Sequence, residues 1–239
     1  PQTVLSSRDP IMSPAWHPAG NKLAYVAFEV KRGRTSLRIQ DLFTGKSREI
    51  SSRPGINGAP AFSPTGNKLA MVLSHKGNPD IYICDLNSGQ MNQLTNSPAI
   101  DTQPTWSPSG QYIAFTSDRA GKPQIYRKPV NGGGAERITF DGESNQDAEY
   151  SPDGDSMVMI QGGNGFRVAV LDLKTNNVRI VTDGPLNESP GFAPNGQTII
   201  YASGGSTAEL ATVSVDGRVK TTLSQKGEVR EPAWGPFVY

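Results

Sequence analysis

One cysteine, two histidines and a near balance of charge limit what this chain can be. Cys84 is the sole cysteine among 239 residues. No intramolecular disulfide can therefore form, and a Cys-based zinc site is excluded. Inside DIYICDL, Cys84 is expected to be an inert, buried thiol. The two histidines, His17 and His75, fall in loops expected on opposite faces of the fold, which argues against a two-His zinc site. Formal net charge is +1, from 23 basic and 22 acidic side chains. With no basic run, the chain offers no field to hold nucleic acid or an anionic membrane surface. No apolar run approaches the roughly 18 residues of a membrane-crossing helix. No secretion leader opens the chain, a feature that processing or truncation removes in any case. Catalytic signatures are equally thin. G-x-S-x-G is absent, and GGSTA (204–208) lacks the final glycine of a nucleophile elbow. GGG at 132–134 reads as a hairpin turn rather than a phosphate loop.

Glycine (26) and proline (19) are plentiful, and they punctuate an internal repeat. Aligned on the proline of an aromatic-x-Pro turn, the units fall at Pro18, Pro64, Pro108, Pro152, Pro194 and Pro236, spaced by 46, 44, 44, 42 and 42 residues. Each unit has four segments. The first ends in an aromatic: PAW (14–16), PAF (60–62), PTW (104–106), AEY (148–150), PGF (190–192) and PAW (232–234). The second is apolar, as in KLAYVAF and KLAMVLS. The third is β-rich, as in SLRIQDL and DIYICDL. The fourth is short and ends in Ser or Thr: SREIS, MNQLT, AERIT, VRIVT, KTTLS. Turns such as SPTG, SPSG and SPDG suit tight reversals, because Pro fixes φ and Gly accepts a positive one. Four strands per unit of 40–50 residues is the signature of a β-propeller. Apolar residues on both faces of the second strand fit a blade packed between two others.

The expectation is thus an all-β, six-bladed propeller of four-stranded antiparallel blades. There are six first-strand motifs but only five complete units. QTVLS (2–6) matches the fourth-strand pattern, so the closing blade is expected to join both termini: REPAWGP as inner strand, QTVLS as outer strand, the middle pair missing. On that reading the chain is a fragment whose remaining strands lie upstream of Pro1. The alternative is five blades with loose ends.

Strand order sends the short hairpins to one face and the variable crossovers to the other, and variation on a rigid scaffold is where recognition sits. Residues just before each first strand are expected to ring the channel mouth: Met12 and Ser13, Asn57 to Ala59, Asp101 to Gln103, Asn145 to Asp147, Asn187 to Ser189, and Arg230 with Glu231. From this set and the crossovers the expected partner-binding residues are Met12, Ile56, Asn57, Ala59, Thr102, Gln103, Asn145, Asp147, Glu188 and Glu231. Met12 and Ile56 would be the apolar anchors. Asp101, Asp147, Glu188 and Glu231 are carboxylates that, if convergent, suit a hard cation such as Ca²⁺; a solvated polar mouth is the plainer reading. SDRAGKP (117–123) reads as an architectural loop, with Asp118 bonding its own turn. No catalytic residues and no required cofactor are assigned.

The phrases IMSPAWHPAGNKLAYVAFE (11–29), NGAPAFSPTGNKLA (57–70), PTWSPSG (104–110), AFTSDRAGKPQIY (114–126), NQDAEYSPDG (145–154) and the terminal PAWGP closely resemble the propeller domain of the TolB family, over essentially the whole chain. The resemblance implies an α/β domain upstream of a six-bladed propeller. It implies a periplasmic, non-enzymatic, monomeric component of the Tol–Pal envelope system, supporting outer-membrane integrity and constriction at division. It further implies binding of the lipoprotein Pal on the channel-mouth face, use of that face by colicin translocation segments, and contact with other Tol proteins through the upstream region. Calcium in the channel is suspected for the family. The positions matching its binding motifs are Asn57, Ala59, Thr102, Asn145 and Asp147. Ile56 departs from relatives with a polar residue there, and HPAG replaces SPDG in the first turn. A prolyl-oligopeptidase-like hydrolase whose propeller gates a missing catalytic domain is the alternative function.

Overall fold

The structure, a computed structural model, describes residues 3, 5–204, 208–223 and 230–236. Among the described residues twenty strands alternate with turns. The first sheet holds β1 (Ile11–Trp16), β2 (Lys22–Glu29), β3 (Arg34–Asp41) and β4 (Ser47–Ser51); the second holds β5 (Asn57–Phe62), β6 (Lys68–Leu73), β7 (Asp80–Asp85) and β8 (Met91–Gln93). The third holds β9 (Asp101–Trp106), β10 (Tyr112–Ser117), β11 (Gln124–Pro129) and β12 (Glu136–Arg137). The fourth holds β13 (Ser144–Tyr150), β14 (Ser156–Gly163), β15 (Gly165–Asp172) and β16 (Val178–Ile180). The fifth holds β17 (Asn187–Phe192), β18 (Thr198–Ser203), β19 (Glu209–Ser214) and β20 (Lys220–Leu223). Strand order within every sheet is sequential. The chain divides into two compact units: Pro1–Thr102 with Gly235–Tyr239, and Gln103–Trp234.

Five blades form, not six, and this corrects the expected architecture. Arg230–Pro236 is described and carries no strand; Thr3, Leu5 and Ser6 carry none either, while Gln2 and Val4 lie outside the described residues. The reason is hydrogen bonding. A first strand needs the ladder that a second strand supplies, and among the described residues no strand pairs with Arg230–Pro236. Within the first unit Gly235 still lies against Trp16: a Cβ at Gly235 would stand 3.5 Å from the indole.

Turn chemistry explains the serine of S-P-x-G. Ser63, Ser107 and Ser151 each accept, through Oγ, the N–H five residues on, from Lys68 (3.0 Å), Tyr112 (3.0 Å) and Ser156 (2.9 Å). Second strands are the most buried elements. β6 places Leu69, Met71 and Leu73 on one face and Ala70 and Val72 on the other, all at most 2 % exposed. The first face joins Val26, Leu37, Tyr82 and Cys84 in the core of the first unit. In the second unit Met157, Met159 and Ile125 form one cluster, and Val158, Ile160, Ile199 and Val213 another. Each such side chain contributes about 1.5–3 kcal/mol when fully buried. A one-residue register slip exchanges the two faces of a strand, and with both faces packed neither register error is tolerated.

Cys84 is 2 % exposed, and burial pushes its thiol pKa up. It is expected to resist a thiol reagent such as DTNB in the native protein at pH 8 and to react stoichiometrically once unfolded. Rapid native labelling would contradict the buried placement.

Candidate interaction surface on the first-strand bulges

Apart from Arg230 and Glu231, the residues expected just before the first strands lie within them. Four first strands carry a bulge at the same point, where two residues face one of the second strand. Register breaks fall between Met12 and Ala15, Gly58 and Ala61, Gln146 and Glu149, and Glu188 and Gly191. At the first bulge position φ is positive although the residue is not glycine: Ser13 (51°), Ala59 (45°), Asp147 (54°) and Ser189 (50°), with Gln103 (52°) in β9. Glu231 (49°) adopts the same conformation outside any strand. A left-handed residue with a Cβ costs about 1–2 kcal/mol, and none of the six is β-branched, the class for which that cost is highest. Proline follows in every repeat but the fourth, because the second bulge position needs no ladder N–H. A proline inside a strand was the sequence signal for these bulges.

In the second unit hydrogen bonds link one bulge to the next. Asp147 N–H donates to Gln103 Oε1 and to Thr116 Oγ1, both at 3.1 Å, and Thr116 Oγ–H donates to Gln103 Oε1 at 2.9 Å. The Asp147 carboxylate in turn accepts the N–H of Ser189. Burial first, then the charges of Glu231 and Glu188, push the Asp147 pKa up to about 6 against the pull of that hydrogen bond. Glu149 accepts the Phe192 N–H at 3.0 Å. The residue as a whole is exposed. Desolvation, with Asp147 adding repulsion, pushes its pKa up to about 7.

Asn57 and Asn145, expected to meet a partner, are fully buried and serve the crossovers instead. Asn57 Nδ2 donates to Thr35 O (3.1 Å) and Arg53 O (2.7 Å), while Oδ1 accepts from Ser51 Oγ (2.6 Å) and Arg53 N (3.1 Å). Asn145 Nδ2 donates to Gln124 Oε1 (2.9 Å) and Asp141 O (2.8 Å). Thr139, which closes its fourth segment, donates to the same Gln124 Oε1 (2.8 Å). Asp101 holds the equivalent position in the first unit and is fully buried, with its backbone N–H on Pro79 O (3.0 Å). Its charge helps raise the pKa of Asp80, after burial as the main cause.

Met12 (39 % exposed) and Ile56 (49 %) do present apolar surface. Ile56 is pinned at both ends, its N–H on Ser74 Oγ (2.7 Å) and its carbonyl accepting from Ser74 N (3.1 Å). Ala59, Thr102, Gln103, Asp147 and Glu231 are half-buried, and Glu188 is exposed. Ile100, 49 % exposed, was missed by the sequence reading, although it occupies the repeat position of Ile56. Glu149 was missed too; other repeats hold Ala15, Ala61, Thr105, Gly191 and Ala233 there. Among the described residues no three His, Cys, Asp or Glu side chains are grouped to hold a metal ion. That does not fit Ca²⁺, which takes six to eight oxygens. SDRAGKP is braced internally: Gly121 N–H donates to Asp118 O (2.7 Å), and the Arg119 guanidinium lies 4.7 Å from the Tyr126 ring centre.

Five sequential four-stranded sheets with one recurring bulge agree with the family comparison. The profile of the TolB beta propeller domain matches residues 1–238. The chain belongs to that family. This TolB-family propeller superposes on the crystal structure of TolB from Acinetobacter baumannii with a TM-score of 0.91 and 45 % identity, over 99 % of this chain and 60 % of that one. The Tol-Pal system protein TolB of Alcanivorax borkumensis is 51 % identical over 75 residues, which are 31 % of this chain and 17 % of that protein. The TolB-family propeller thus spans 60 % of the Acinetobacter baumannii chain and matches 17 % of the Alcanivorax borkumensis protein. A puromycin-hydrolyzing peptidase of Mycobacterium tuberculosis shares the fold alone, at a TM-score of 0.71 and 16 % identity. Among the described residues no helix is long and apolar enough to cross a membrane.

Proposed function

We propose that this chain is a non-enzymatic, protein-binding propeller of a periplasmic Tol–Pal system, and that its partner is the lipoprotein Pal. The observation that carries this reading is the recurring first-strand bulge: one fixed backbone shape presents a different side chain in each repeat. Membership of the TolB family supports the Tol–Pal assignment. In the first unit Met12 and Ile56 are the apolar anchors, flanked by Ala59 and Thr102; in the second, Glu188 offers an exposed charge. Pinned apolar side chains lose little entropy on binding, which favours them as anchors. Colicin translocation segments would use the same residues, and other Tol proteins would be met through the region upstream. The chain acts as a monomer, and the reading requires no cofactor. Its contribution is to outer-membrane integrity and constriction at division.

Ile56→Asp and Glu188→Lys are each expected to weaken Pal binding about tenfold or more in calorimetry, roughly 1.4 kcal/mol, with no fall in Tm. Both side chains are exposed, so stability and binding separate cleanly. Wild-type affinity in both variants would overturn the assignment.

A further inference from the structure

Charge is shared unequally along the chain. Residues 1–102 hold 11 Lys and Arg against 7 Asp and Glu, whereas 103–234 hold 12 against 15. Within the first unit Arg32, Arg34 and Arg38 share Glu29 and Glu49. Arg53, His75 and Lys76 have no such counter-charge, and among the described residues none of the three forms an ion pair. Arg53 is exposed, yet it is fixed at both ends. The buried Asn57 amide accepts its N–H (3.1 Å) and donates to its carbonyl (2.7 Å). Its guanidinium Nη1 donates to His75 Nε2 at 2.9 Å. A guanidinium cannot accept, so Nε2 is the bare nitrogen of a neutral ring and Nδ1 carries the proton. That Nδ1 is buried and has no partner among the described residues. Ile56 belongs to the same block, because Ser74, which holds both its N–H and its carbonyl, directly precedes His75.

We propose that Arg53, His75 and Lys76 form a carboxylate-binding subsite beside Ile56, which takes an aspartate or glutamate side chain of the docked protein. The subsite rests on the reading of this chain as a protein-binding propeller and names the partner chemistry that this rim recognises.

A neutral imidazole is a weak counterpart for a guanidinium, whose planar fork of five N–H donors matches a carboxylate in pairs. Arg53 spends one of those donors on His75. Holding the arginine in place beforehand spares the entropy of ordering it when a partner arrives. Lys76 is exposed and donates to Gln93 Oε1 (2.8 Å), and Gln93 Nε2 donates to Asp80 (3.0 Å). Asp80 is 3 % exposed and also accepts from Thr95 Oγ1 (3.2 Å), so its carboxylate is turned inward and leaves the rim cationic. From β7 the Tyr82 ring packs on His75, with 5.3 Å between ring centres. Burial, then the charges of Arg53 and Lys76, hold the His75 pKa below its ordinary value. An arriving carboxylate takes the Arg53 fork and releases Nε2. The ring then binds a proton from water and becomes a further donor, because a nearby anion favours the charged form.

Calorimetry with Pal reads the subsite through its partner. Arg53→Gln is expected to weaken binding about tenfold and to flatten its salt dependence. Arg48→Gln removes the same charge from an arginine bonded to Leu86 O and is expected to leave affinity unchanged. Equal losses at Arg48 and Arg53 overturn the subsite, since bulk charge then explains both. A loss on Ile56→Asp with none on Arg53→Gln also overturns it and leaves the Pal assignment standing. A second measurement needs no Pal. Sodium glutarate is titrated into the isotope-labelled whole chain at constant ionic strength, against sodium chloride. Saturable shifts are expected at the Arg53 Nε–H and His75 Cε1–H resonances, with the His75 titration midpoint raised by about 0.5. Both changes are expected to vanish in Arg53→Gln. Shifts no larger than those with chloride overturn the subsite whatever Pal does. Glutarate shifts as expected, with no binding of Pal to the wild type, support the subsite and remove the Pal assignment alone.

Discussion

Replacing Asn57 with alanine is expected to destabilise the protein by about 3 kcal/mol, read as a lower urea midpoint with an unchanged slope. Asn57 is wholly buried, and its amide makes three donations, to Thr35 O, Arg53 O and Gly55 O, and two acceptances that tie the crossover after β4 to Thr35 on β3. Alanine takes the partner from the Ser51 hydroxyl, the Arg53 N–H and the carbonyls of Thr35, Arg53 and Gly55. Each buried group left unsatisfied costs about 1–3 kcal/mol, less whatever water recovers by entering. Asn187 provides the internal comparison. Its Nδ2 donates to Phe166 O (2.9 Å), Thr182 Oγ1 (3.2 Å) and Gly184 O (3.1 Å), but its Oδ1 has no partner among the described residues. Asn187→Ala should therefore cost less than Asn57→Ala. Equal costs, or a loss under about 0.5 kcal/mol at Asn57, would show that these amides do not hold the crossovers.

Gly165→Ala is expected to cost about 3 kcal/mol, for a reason unrelated to polar satisfaction. Gly165 opens β15 at φ +101°, where an L side chain is strained. A Cβ there would stand 2.5 Å from the Pro185 carbonyl oxygen and 2.9 Å from Pro185 Cα. Both are backbone atoms and cannot rotate away. That carbonyl accepts the Phe166 N–H at 2.8 Å, and Phe166 bridges in parallel to Leu186. Alanine thus pushes the whole 182–187 crossover off β15 and takes the Asn187 bond to Phe166 O with it. Thermal unfolding checks this. Gly77, which has a positive φ but open space around its Cβ position, supplies the control, and Gly77→Ala should cost only the strain.

The repeat phrase made the sheets legible because a strand packed on both faces must be apolar throughout, as KLAMVL is, and because its turns need Pro and Gly at fixed places. The closing blade was misjudged for the opposite reason. PAWGP keeps the wording of a first strand and Glu231 keeps its φ, but wording supplies no hydrogen-bond partner. Site residues divided along a similar line. Ile56 was readable as an apolar residue in a variable crossover, and Met12 as one beside the first bulge. Asn57 and Asn145 lie one or two residues from the bulge and look equally available, but strand alternation and the crossover turn them inward. Glu149 was legible only by comparing repeats, as the one charge where Ala, Thr and Gly otherwise stand.

The outermost strands shrink to three residues in β8, two in β12 and three in β16. A chain that writes one sheet-forming phrase over and over invites copies of itself to zip together, since every blade resembles every other. Rims this brief give an incoming strand too few ladder positions to offset the entropy of straightening it. In the second, third and fourth sheets repetition is thereby separated from self-association by stopping the sheet early.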